Sequence, residues 1–522
     1  TSTAVSPMHT FSSPGTFVVT LSVSNADEED DASRTFNVEG PPPPEPPDTV
    51  LLPWVAQSDG ALDQVSALFV HNPDSEARSI TLRFFERRAP SDTDPAPEIS
   101  TTLEAGATAY FPDVLGTQFG MNNVSGFIEI QVDGEGAVAP TAVSYHRTFN
   151  PNGLTFGQAV PAVTAGDFPR SVEGENQSFH LMGLNDNGAR LAFFGITNPG
   201  DLAAQFQLRF FNQLGEAIGN VPDPMSIGGK NNRQFQVEVL RQTFGIEETS
   251  DYRIQVEVLN NGPLYIYGAN LRLPALDPSY VRAGDPTVGK VYLLGVLATE
   301  GLNNTQWQTD AVLANVADSV ATAHITFTSA GNGAEPLEPI IQTLLPRETL
   351  RLANILADHF DLDADSSLGF VTIESDEADG VYPIVQAETY DVANPAGRFG
   401  QFMPALRDDQ AAAAGQRQIL TGLQQDAASR STIWILNPGD EAGEYDLVYR
   451  ALDGSEIGRI SSYRVAAGSM RQINPGTHPL VDGVAEGGFT VQIVVRRGLL
   501  LSAAQVVNSI TNDPAFVAGV TR

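Results

Sequence analysis

The sequence predicts an all-β protein, a tandem array of four antiparallel β-sandwiches. A strand–turn–strand unit recurs four times, and an asparagine marks each turn: Asn72, Asn198, Asn315 and Asn437. Apolar residues stand two positions before each Asn and ten and twelve positions after it, as one face of a sheet requires. The four Asn anchors lie 126, 117 and 122 residues apart, so the repeating unit is a small domain.

The composition indicates a globular chain and excludes several kinds of partner. Hydrophobic residues make up 42% of the 522 residues and charged residues 18%, which suits a chain with cores. The formal net charge of −34 repels phosphate backbones, so we expect no nucleic-acid partner. No apolar run approaches the roughly 18–20 residues that span a bilayer, so we expect no membrane insertion. The absence of Cys excludes disulfides, cysteine-ligated zinc and a thiol nucleophile.

Residues 1–39 are predicted to supply two strands. An amphipathic strand follows the turn Ser13-Pro14-Gly15, an acidic loop comes next, and a second strand returns. We expect the apolar residues of these strands to form an assembly surface: Phe17, Val19, Leu21, Val23, Phe36 and Val38.

The stretch HTFSSPGTFVVTLSVSNADEEDDASRTFNV resembles the C-terminal half of a PKD domain. That family is an Ig-like β-sandwich common in exported and surface proteins. The resemblance covers the last strands of the family's domain and not its N-terminal half. It implies that upstream residues, or strands from another molecule, complete the sandwich.

Residues 40–49 contain GPPPPEPPD and are interpreted as a stiff polyproline-II linker, with a docking site for a proline-binding partner as the alternative. Four Ig-like repeats follow, at 50–166, 167–286, 287–408 and 409–522. In the first, strands are predicted at 50–56, 65–71, 79–86, 99–111, 126–132, 138–147 and 155–163. The repeats resemble β-sandwich repeats of bacterial surface proteins.

A short helical segment is expected to plug the end of each of the first three sandwiches. In the first repeat it comprises Asp113-Val114-Leu115 followed by Phe119. Similar segments occur at Val239-Leu240 and Ile355-Leu356, whereas the fourth repeat departs from the pattern.

The repeats alternate in type. Phe156-Gly157-Gln158 and Phe399-Gly400-Gln401 lie 243 residues apart in the first and third repeats, and the other two repeats lack this segment. A Pro-Ala step follows the anchor by 89, 76, 89 and 77 residues, at Pro161, Pro274, Pro404 and Pro514. We interpret the chain as a two-sandwich unit that duplicated, which gives an ABAB string of beads.

No catalytic constellation is found, so we predict that the protein is not an enzyme and has no cofactor. The seven His residues show no short metal-ligand spacing. His71 and His146 lie on predicted strands and have different residues in the other repeats, which favours a structural role. The three Trp residues occupy non-equivalent positions, which favours packing or interface roles over a shared sugar-stacking platform.

The segment DLDADSSLGFVTIE is the best candidate metal site. Asp361, Asp363 and Asp365 alternate, as oxygen ligands of calcium do on a loop. Ser366 replaces the Gly of the sharp turn, and Thr372 stands where a bidentate Glu belongs. Calcium binding and a solvated acidic loop both remain open, here and at Asp27–Asp31.

The sequence therefore predicts a secreted bacterial structural or adhesive protein at the cell surface. It would be a subunit of a homo-oligomer or polymer that is built by head-to-tail β-domain contacts, with strand donation from residues 1–39. The alternative is a non-catalytic spacer or glycan-binding accessory region of a secreted hydrolase. A glycan or other cell-surface ligand is compatible with both.

Overall fold

The structure is a computed structural model of the chain. It describes residues 15–24, 29–38, 49–59, 63–87, 96–134, 136–149, 155–164, 177–221, 223–246, 249–260, 262–273, 277–284, 289–363, 366–376, 382–394, 399–475 and 488–522. The chain forms two compact units, Thr1–Pro47 and Asp48–Arg522.

The first unit contains an antiparallel hairpin of β1 (Gly15–Ser24) and β2 (Glu29–Val38). The register runs from Gly15 opposite Val38 to Ser24 opposite Glu29. Thr20 and Ser33 are exposed, and their hydroxyl oxygens lie 2.8 Å apart. The two expected strands are therefore present, whereas the Pro-rich residues 40–48 lie outside the described residues.

The second unit contains four copies of one strand arrangement, here called copies 1 to 4. Copy 1 has β3 (Thr49–Ser58), β4 (Asp63–His71), β5 (Arg78–Glu86), β6 (Glu98–Leu103), β7 (Thr108–Phe111), β8 (Val124–Val132), β9 (Thr141–Phe149), β10 (Thr155–Pro161) and β11 (Val163–Thr164). Copy 2 has β12 (Gln177–Asp186), β13 (Arg190–Asn198), β14 (Ala204–Phe211), β15 (Ala217–Ile218), β16 (Met225–Ile227), β17 (Asn231–Phe235), α1 (Val237–Phe244), β18 (Thr249–Asn260), β19 (Tyr265–Arg272) and β20 (Asp277–Arg282).

Copy 3 has β21 (Val291–Glu300), β22 (Gln306–Ala314), β23 (Ala321–Ser329), β24 (Ile340–Leu344), β25 (Thr349–Leu352), β26 (Ser366–Ser375), β27 (Ile384–Asp391), β28 (Gly400–Pro404) and β29 (Leu406–Arg407). Copy 4 has β30 (Ala412–Ala413), β31 (Arg417–Leu423), β32 (Ser429–Asn437), β33 (Gly443–Arg450), β34 (Glu456–Val465), β35 (Ser469–Ile473), β36 (Phe489–Arg497), β37 (Leu499–Asn508), β38 (Pro514–Ala518) and β39 (Val520–Thr521). A 3-10 turn at Asp408–Gln410 lies between copies 3 and 4.

Each copy packs two antiparallel sheets face to face; in copies 1 and 3 a short pairing, β3 with β4 and β21 with β22, joins the two sheets at one edge. One sheet, here called the anchor sheet, contains the strand that leads into the anchor Asn; its order is β10-β9-β4-β7, β20-β19-β13-β17, β28-β27-β22-β25 and β38-β37-β32-β35 in copies 1 to 4. The second sheet contains the first long strand of the copy, and its order is β11-β3-β8-β5-β6 in copy 1 and equivalent in the others. The predicted fold class, an all-β array of antiparallel sandwiches, is confirmed.

Most predicted strands of copy 1 are present, but the strand predicted at 99–111 is wrong. It is two strands, β6 and β7, which belong to different sheets because the chain turns at Gly106, where φ is +73°. The predicted plug is a π-helical turn at Val114–Gln118, and Leu115 is fully buried. Copy 3 has the same turn at Ile355–His359, and copy 2 has α1 in this place.

The anchor Asn has the same structural role in all four copies. In copy 4, Asn437 Nδ2 faces the carbonyl oxygens of Glu441 (2.7 Å), Val465 (3.3 Å) and Ala466 (3.1 Å), and Gly439 N donates to its Oδ1 (3.2 Å). Asn72, Asn198 and Asn315 make the equivalent four contacts. All four side chains are buried. The Asn side chain therefore closes its own turn and also bonds to the segment that lies about 28 to 32 residues further along the chain. These contacts need both a donor and an acceptor on one side chain.

The four copies are not a string of beads. Strand β31 of copy 4 contacts β4 and β9 of copy 1, and consecutive copies contact each other in the same way, so the copies close into a ring. Apolar cores continue across the junctions, since one buried cluster joins copies 3 and 4 and another joins copies 4 and 1. The linear arrangement predicted from the sequence is wrong because a repeat pattern does not reveal whether the last unit returns to the first.

Every junction uses the same device, a β-bulge in the first long strand of one copy that docks on the anchor sheet of the next. The register shifts in β3, β12, β21 and β31 mark these bulges. At the bulge of copy 1, Pro53 O accepts from Thr197 Oγ1 of copy 2 at 3.0 Å. At the bulge of copy 4, Gly422 O accepts from Tyr145 OH of copy 1 at 2.9 Å. Because bulges re-aim a strand, they allow the second sheet of one copy to reach its neighbour.

Candidate functional site

The hairpin strands β10, β20, β28 and β38 meet at the centre of the ring. β10 contacts β20 and β38, and β28 contacts the same two strands. Their registers make Gly157, Pro278, Gly400 and Pro514 equivalent. The four Pro-Ala steps therefore do not mark one position: Pro161 and Pro404 end their strands, Pro514 begins its strand, and Pro274 lies outside the described residues.

The ABAB alternation is visible in the contacts at this centre. The glycine of each Phe-Gly-Gln segment donates its N–H to an Asp that precedes a proline in copy 2 or copy 4. Gly400 N donates to Asp277 Oδ2 at 3.1 Å, and Gly157 N donates to Asp513 Oδ2. The Phe-Gly-Gln segment of copies 1 and 3 and the Asp-Pro segment of copies 2 and 4 are thus two halves of one contact that occurs twice.

A cavity of about 330 Å³ lies where the four strands meet, and all four strands line it. Arg282, Arg407 and Arg522 are among its lining residues, whereas none of the described lining residues is acidic. This is notable in a chain with 63 acidic residues. The cavity therefore suits a neutral polar or anionic molecule better than a cation.

Gln158 and Gln401 line this cavity at equivalent positions, one from each Phe-Gly-Gln segment. They are 3% and 4% exposed, and neither the Nε2 nor the Oε1 of either residue has a hydrogen-bond partner among the described residues. Buried amides normally find partners, so two orphaned amides beside a cavity indicate space for water or a polar ligand. Each amide offers a polar ligand one acceptor oxygen and a donor NH2 group.

A buried ionic network lies at the junction of copies 2 and 3. Glu388 is fully buried and contacts Arg272 with one oxygen; its other oxygen lies 2.8 Å from Arg190 and 3.0 Å from Arg351. Arg351 also contacts Asp251 at 2.5 Å and Asp310 at 3.0 Å, and Arg272 contacts Asp277 at 3.0 Å. Charges without water are stable only when paired in this way, so the network fixes the junction.

The network shifts the pKa values of its members in opposite directions. Burial alone would raise the pKa of Glu388, but Arg190, Arg272 and Arg351 hold it well below the usual range. Burial raises the pKa of Asp277 to about 7 even though Arg272 lies beside it. Burial also raises the pKa of Asp513, and the nearby Asp277 raises it further.

The structure describes two of the three predicted calcium ligands. Asp361 is exposed with a left-handed φ of +52°, and Asp363 is exposed while its backbone carbonyl accepts from Ser367 Oγ at 2.8 Å. Asp365 lies outside the described residues, as does most of the acidic loop before Glu29. No group of three possible metal ligands is found among the residues that the structure describes.

The predicted assembly residues lie on the hairpin of the first unit. Phe17 pairs with Phe36, and Val19, Leu21 and Val23 pair with residues of β2, whereas Val38 pairs with Gly15. The side chains of these six residues lie outside the described part of the chain. Since Thr20 and Ser33 are exposed on the face of opposite parity, the alternation expected from the sequence is compatible with this register.

The His and Trp residues singled out from the sequence have structural roles. His71 Nδ1 lies 3.0 Å from Thr108 Oγ1, and His146 Nε2 lies 2.8 Å from Ser66 Oγ. Burial lowers the pKa of both to about 3, so both are neutral in the folded protein. Trp54 is buried with Tyr267 of the next copy, Trp434 packs on Gly295, and Trp307 is buried beside Val507. All three Trp residues therefore lie at junctions, as the interface interpretation predicted.

The sequence interpretation missed the junctions, although the sequence contains a signal for them. In the strands before the anchor Asn, side chains of both parities are apolar or small, as in LFVHN and WILN. A sandwich strand with one solvent-exposed face alternates between apolar and polar residues, whereas these strands are buried on both faces. A near-continuous buried run ending at the anchor therefore predicts that another layer covers the anchor sheet.

Comparison with known proteins adds no assignment. No protein-family model matches the chain, and no curated protein matches it. One solved structure, Escherichia coli alpha-2-macroglobulin activated by porcine elastase, aligns with 97% of this chain and 46% of its own at 10% identity, with a TM-score of 0.11. This chain thus spans less than half of that protein, and a TM-score this low supports no conclusion. Among the described residues, no helix has the length and apolarity to cross a membrane.

Proposed function

We propose that this chain is a non-enzymatic structural or adhesive module of a secreted bacterial surface protein, with residues 49–521 as a rigid head. The observation that carries the proposal is ring closure through four bulge-to-sheet junctions. Continuous cores and a buried ionic network resist motion between copies, which suits a load-bearing or display role. The cavity at the centre has orphaned amides but no catalytic group among its described lining residues, and this favours binding over chemistry.

Ring closure changes how such a module would assemble. Bulge-to-sheet contacts are heterologous, and copies on separate chains would polymerise through them without limit. Here copy 4 docks on copy 1, so each anchor sheet is already covered within the chain. Assembly between chains would therefore use the first unit, whose two-stranded hairpin is marginal by itself and gains stability from added strands.

Deletion of residues 1–39 tests this proposal. We expect the remaining chain to stay folded and monodisperse in light scattering, and to lose the filaments or oligomers that the full chain forms in electron microscopy. Unfolding of the head, or unchanged assembly, would contradict the proposal. A calcium chelator added to the full chain tests in the same images whether Asp361 and the other acidic residues hold a metal that assembly needs.

A matched pair of variants separates assembly from stability. Leu21→Lys places a charge on the face predicted to receive strands, whereas Thr20→Lys places the same charge on the exposed face. Only Leu21→Lys is expected to abolish assembly. Equal effects of the two variants would show that added positive charge, and not a buried strand face, controls association.

The glycan-binding alternative has one observation in its favour, the orphaned amides of Gln158 and Gln401 beside the central cavity. Amide side chains are common hydrogen-bonding partners of neutral polar ligands. A panel of soluble oligosaccharides and insoluble polysaccharides tests it, with Gln401→Leu as the variant that removes the donor and acceptor. Retention of the wild-type protein and loss of retention by the variant would move the assignment to this function.

A further inference from the structure

The junction of copies 4 and 1 is the ABAB equivalent of the junction of copies 2 and 3, and its residues can be compared position by position. Arg190 and Ser429 both lie eight residues before their anchor Asn, and each pairs with the last residue of the neighbouring strand, Arg272 or Asn508. By the same registers Arg351 corresponds to Tyr110 and Glu388 to Tyr145. Three arginines and a glutamate of one junction are thus absent from the other.

One ionisable residue of the network is retained. Asp277 and Asp513 both precede a proline, lie five residues after Arg272 and Asn508 respectively, and accept from the glycine of a Phe-Gly-Gln segment. Asp277 pairs with the Arg272 guanidinium at 3.0 Å. Asp513 is 4% exposed, and its Oδ1 has no hydrogen-bond partner among the described residues. Asp277 Oδ1 also lacks a hydrogen-bond partner, so what distinguishes Asp513 is that no ion pair to it is found among the described residues.

A cleft of about 390 Å³ occupies the space beside Asp513, and Tyr110, Tyr145, Ser429 and Asn508 line it. These are the residues that replace the arginines and the glutamate of the other junction. The backbone N of Asn508 donates to Asp513 O at 2.9 Å, and its Oδ1 accepts from Ile510 N and Thr511 N, but Asp513 Oδ1 has no partner among the described residues.

Two further charged residues, Arg147 and Asp426, also line the cleft. Their charges are opposite, and neither gives Asp513 Oδ1 a hydrogen bond among the described residues. Asp426 Oδ1 instead accepts from the backbone N–H groups of Ala428 and Ser429. Asp513 therefore lines the cleft with one oxygen that has no hydrogen-bond partner among the described residues, while Arg147 lines the same cleft and Arg272 acts on Asp513 only through its charge.

We propose that this cleft binds a guanidinium group, with Asp513 as its counter-ion and the aromatic side chains of Tyr110 and Tyr145 around it. A guanidinium fits because the equivalent junction already holds one against the equivalent aspartate. Planar cations are also attracted to aromatic rings, whereas a divalent metal needs several oxygen ligands. The described residues do not supply a group of three such ligands. The inference is independent of the assembly role proposed above.

Isothermal titration calorimetry of the full chain with N-acetylarginine amide tests the site, with the citrulline analogue as a neutral isostere. We expect the arginine compound to bind and the citrulline compound to bind at least about tenfold more weakly, since a hydrogen bond to a charged group is worth roughly this factor or more. Equal binding of both compounds, or no binding of either, would overturn the proposal.

Asp513→Asn is the informative variant because an amide oxygen can still accept from Gly157 N while the negative charge is lost. It is expected to weaken arginine-amide binding about ten- to a hundredfold, and Glu338→Gln, an exposed acid elsewhere, is expected to leave binding unchanged. Unaltered affinity in Asp513→Asn would overturn the assignment of the counter-ion.

A second variant keeps the proposal testable if Asp513→Asn fails to fold. Asn508→Arg places a guanidinium where Arg272 stands in the other junction, so it should occupy the cleft from within and abolish binding of the arginine compound. Undiminished binding by Asn508→Arg would refute the site. A short peptide with an internal arginine distinguishes the source: tighter binding than the amide indicates a protein partner, and equal binding indicates a small molecule.

Discussion

Replacing Asn437 by Ala tests the role of the repeated anchor. The variant removes a side chain whose Nδ2 contacts three carbonyl oxygens as a donor and whose Oδ1 accepts from Gly439 N. The anchor is fully buried, so water cannot readily replace these contacts. Because the same four contacts occur at Asn72, Asn198 and Asn315, the result is expected to apply to every copy.

The magnitude follows from the groups left unpaired. A buried donor or acceptor without a partner costs about 1–3 kcal/mol. Taking the lower value for each of the four backbone groups gives a loss of about 4 kcal/mol in the free energy of unfolding. Asn437→Asp should cost at least as much at neutral pH, because it replaces the donor with a negative charge that faces three carbonyl oxygens.

Denaturant unfolding followed by tryptophan fluorescence measures this loss, since Trp434 lies three residues before the anchor and is buried at the junction of copies 3 and 4. Asn220→Ala, at an exposed Asn of copy 2, is the matched control and is expected to change stability by less than about 0.5 kcal/mol. If Asn437→Ala and Asn220→Ala cost the same, the anchor is a turn preference only, and the explanation of the repeat given above is wrong.

Three further predictions concern buried charge, pH and the bulges. Glu388→Gln leaves three arginines without their shared counter-ion and should cost about 3–5 kcal/mol in a denaturant titration, whereas Glu98→Gln, in an exposed pair with Arg83, should cost under about 1 kcal/mol. Burial lowers the pKa of His71 to about 3, so the folded state stays neutral while the unfolded state takes up a proton. His71 should therefore contribute a fall of about 1.4 kcal/mol per pH unit to the free energy of unfolding as the pH drops from about 6.5 towards 3, and the slope of His71→Gln should be shallower by about this amount. Gly295→Val should cost about 3 kcal/mol or more and perturb the fluorescence of Trp434, because its Cβ would lie 2.5 Å from that ring at a φ of +75°; Gly468→Ala, at a φ of +58° with no atom within 4 Å, isolates the smaller cost of the backbone conformation.

Much of each sandwich could be predicted from the sequence because it depends on local pattern. Period-two apolar residues located the strands, and the Asn anchors located equivalent turns in all four copies. The segment at 99–111 failed because both of its halves are extended and only Gly106 marks the change of sheet. Local extension does not specify which neighbour a strand will pair with, and pairing decided this case.

The junctions and the central site depend on contacts between residues hundreds of positions apart. Nothing in the local sequence marks Glu388 as buried, because the arginines that pair with it, Arg190 and Arg272, belong to copy 2. Gly157 and Gln158 indicated the ABAB alternation from the sequence alone. The contact of Gly157 with Asp513, 356 positions away, could not be derived, because it exists only when copy 4 returns to copy 1.

The junction of copies 2 and 3 and the junction of copies 4 and 1 have the same strand geometry but different charged residues. At the junction of copies 2 and 3, three arginines face four carboxyl groups, Asp251, Asp277, Asp310 and Glu388. At the junction of copies 4 and 1 the equivalent set is reduced to Asp513. The first junction holds several guanidinium groups among its carboxyl groups, whereas the second holds a buried carboxyl group whose pKa is raised by burial. The hydrogen bond from Gly157 N explains why Asp513 persists, since its counterpart Asp277 holds Gly400 in the same way. That bond uses only Oδ2, however, and accounts for neither the unpartnered Oδ1 nor the cleft of about 390 Å³ beside it. Asp277 also leaves its Oδ1 without a hydrogen-bond partner among the described residues, but its Oδ2 pairs with Arg272. The difference at Asp513 is therefore the missing ion pair beside a cleft of about 390 Å³, and this difference is the observation on which the proposed guanidinium site rests.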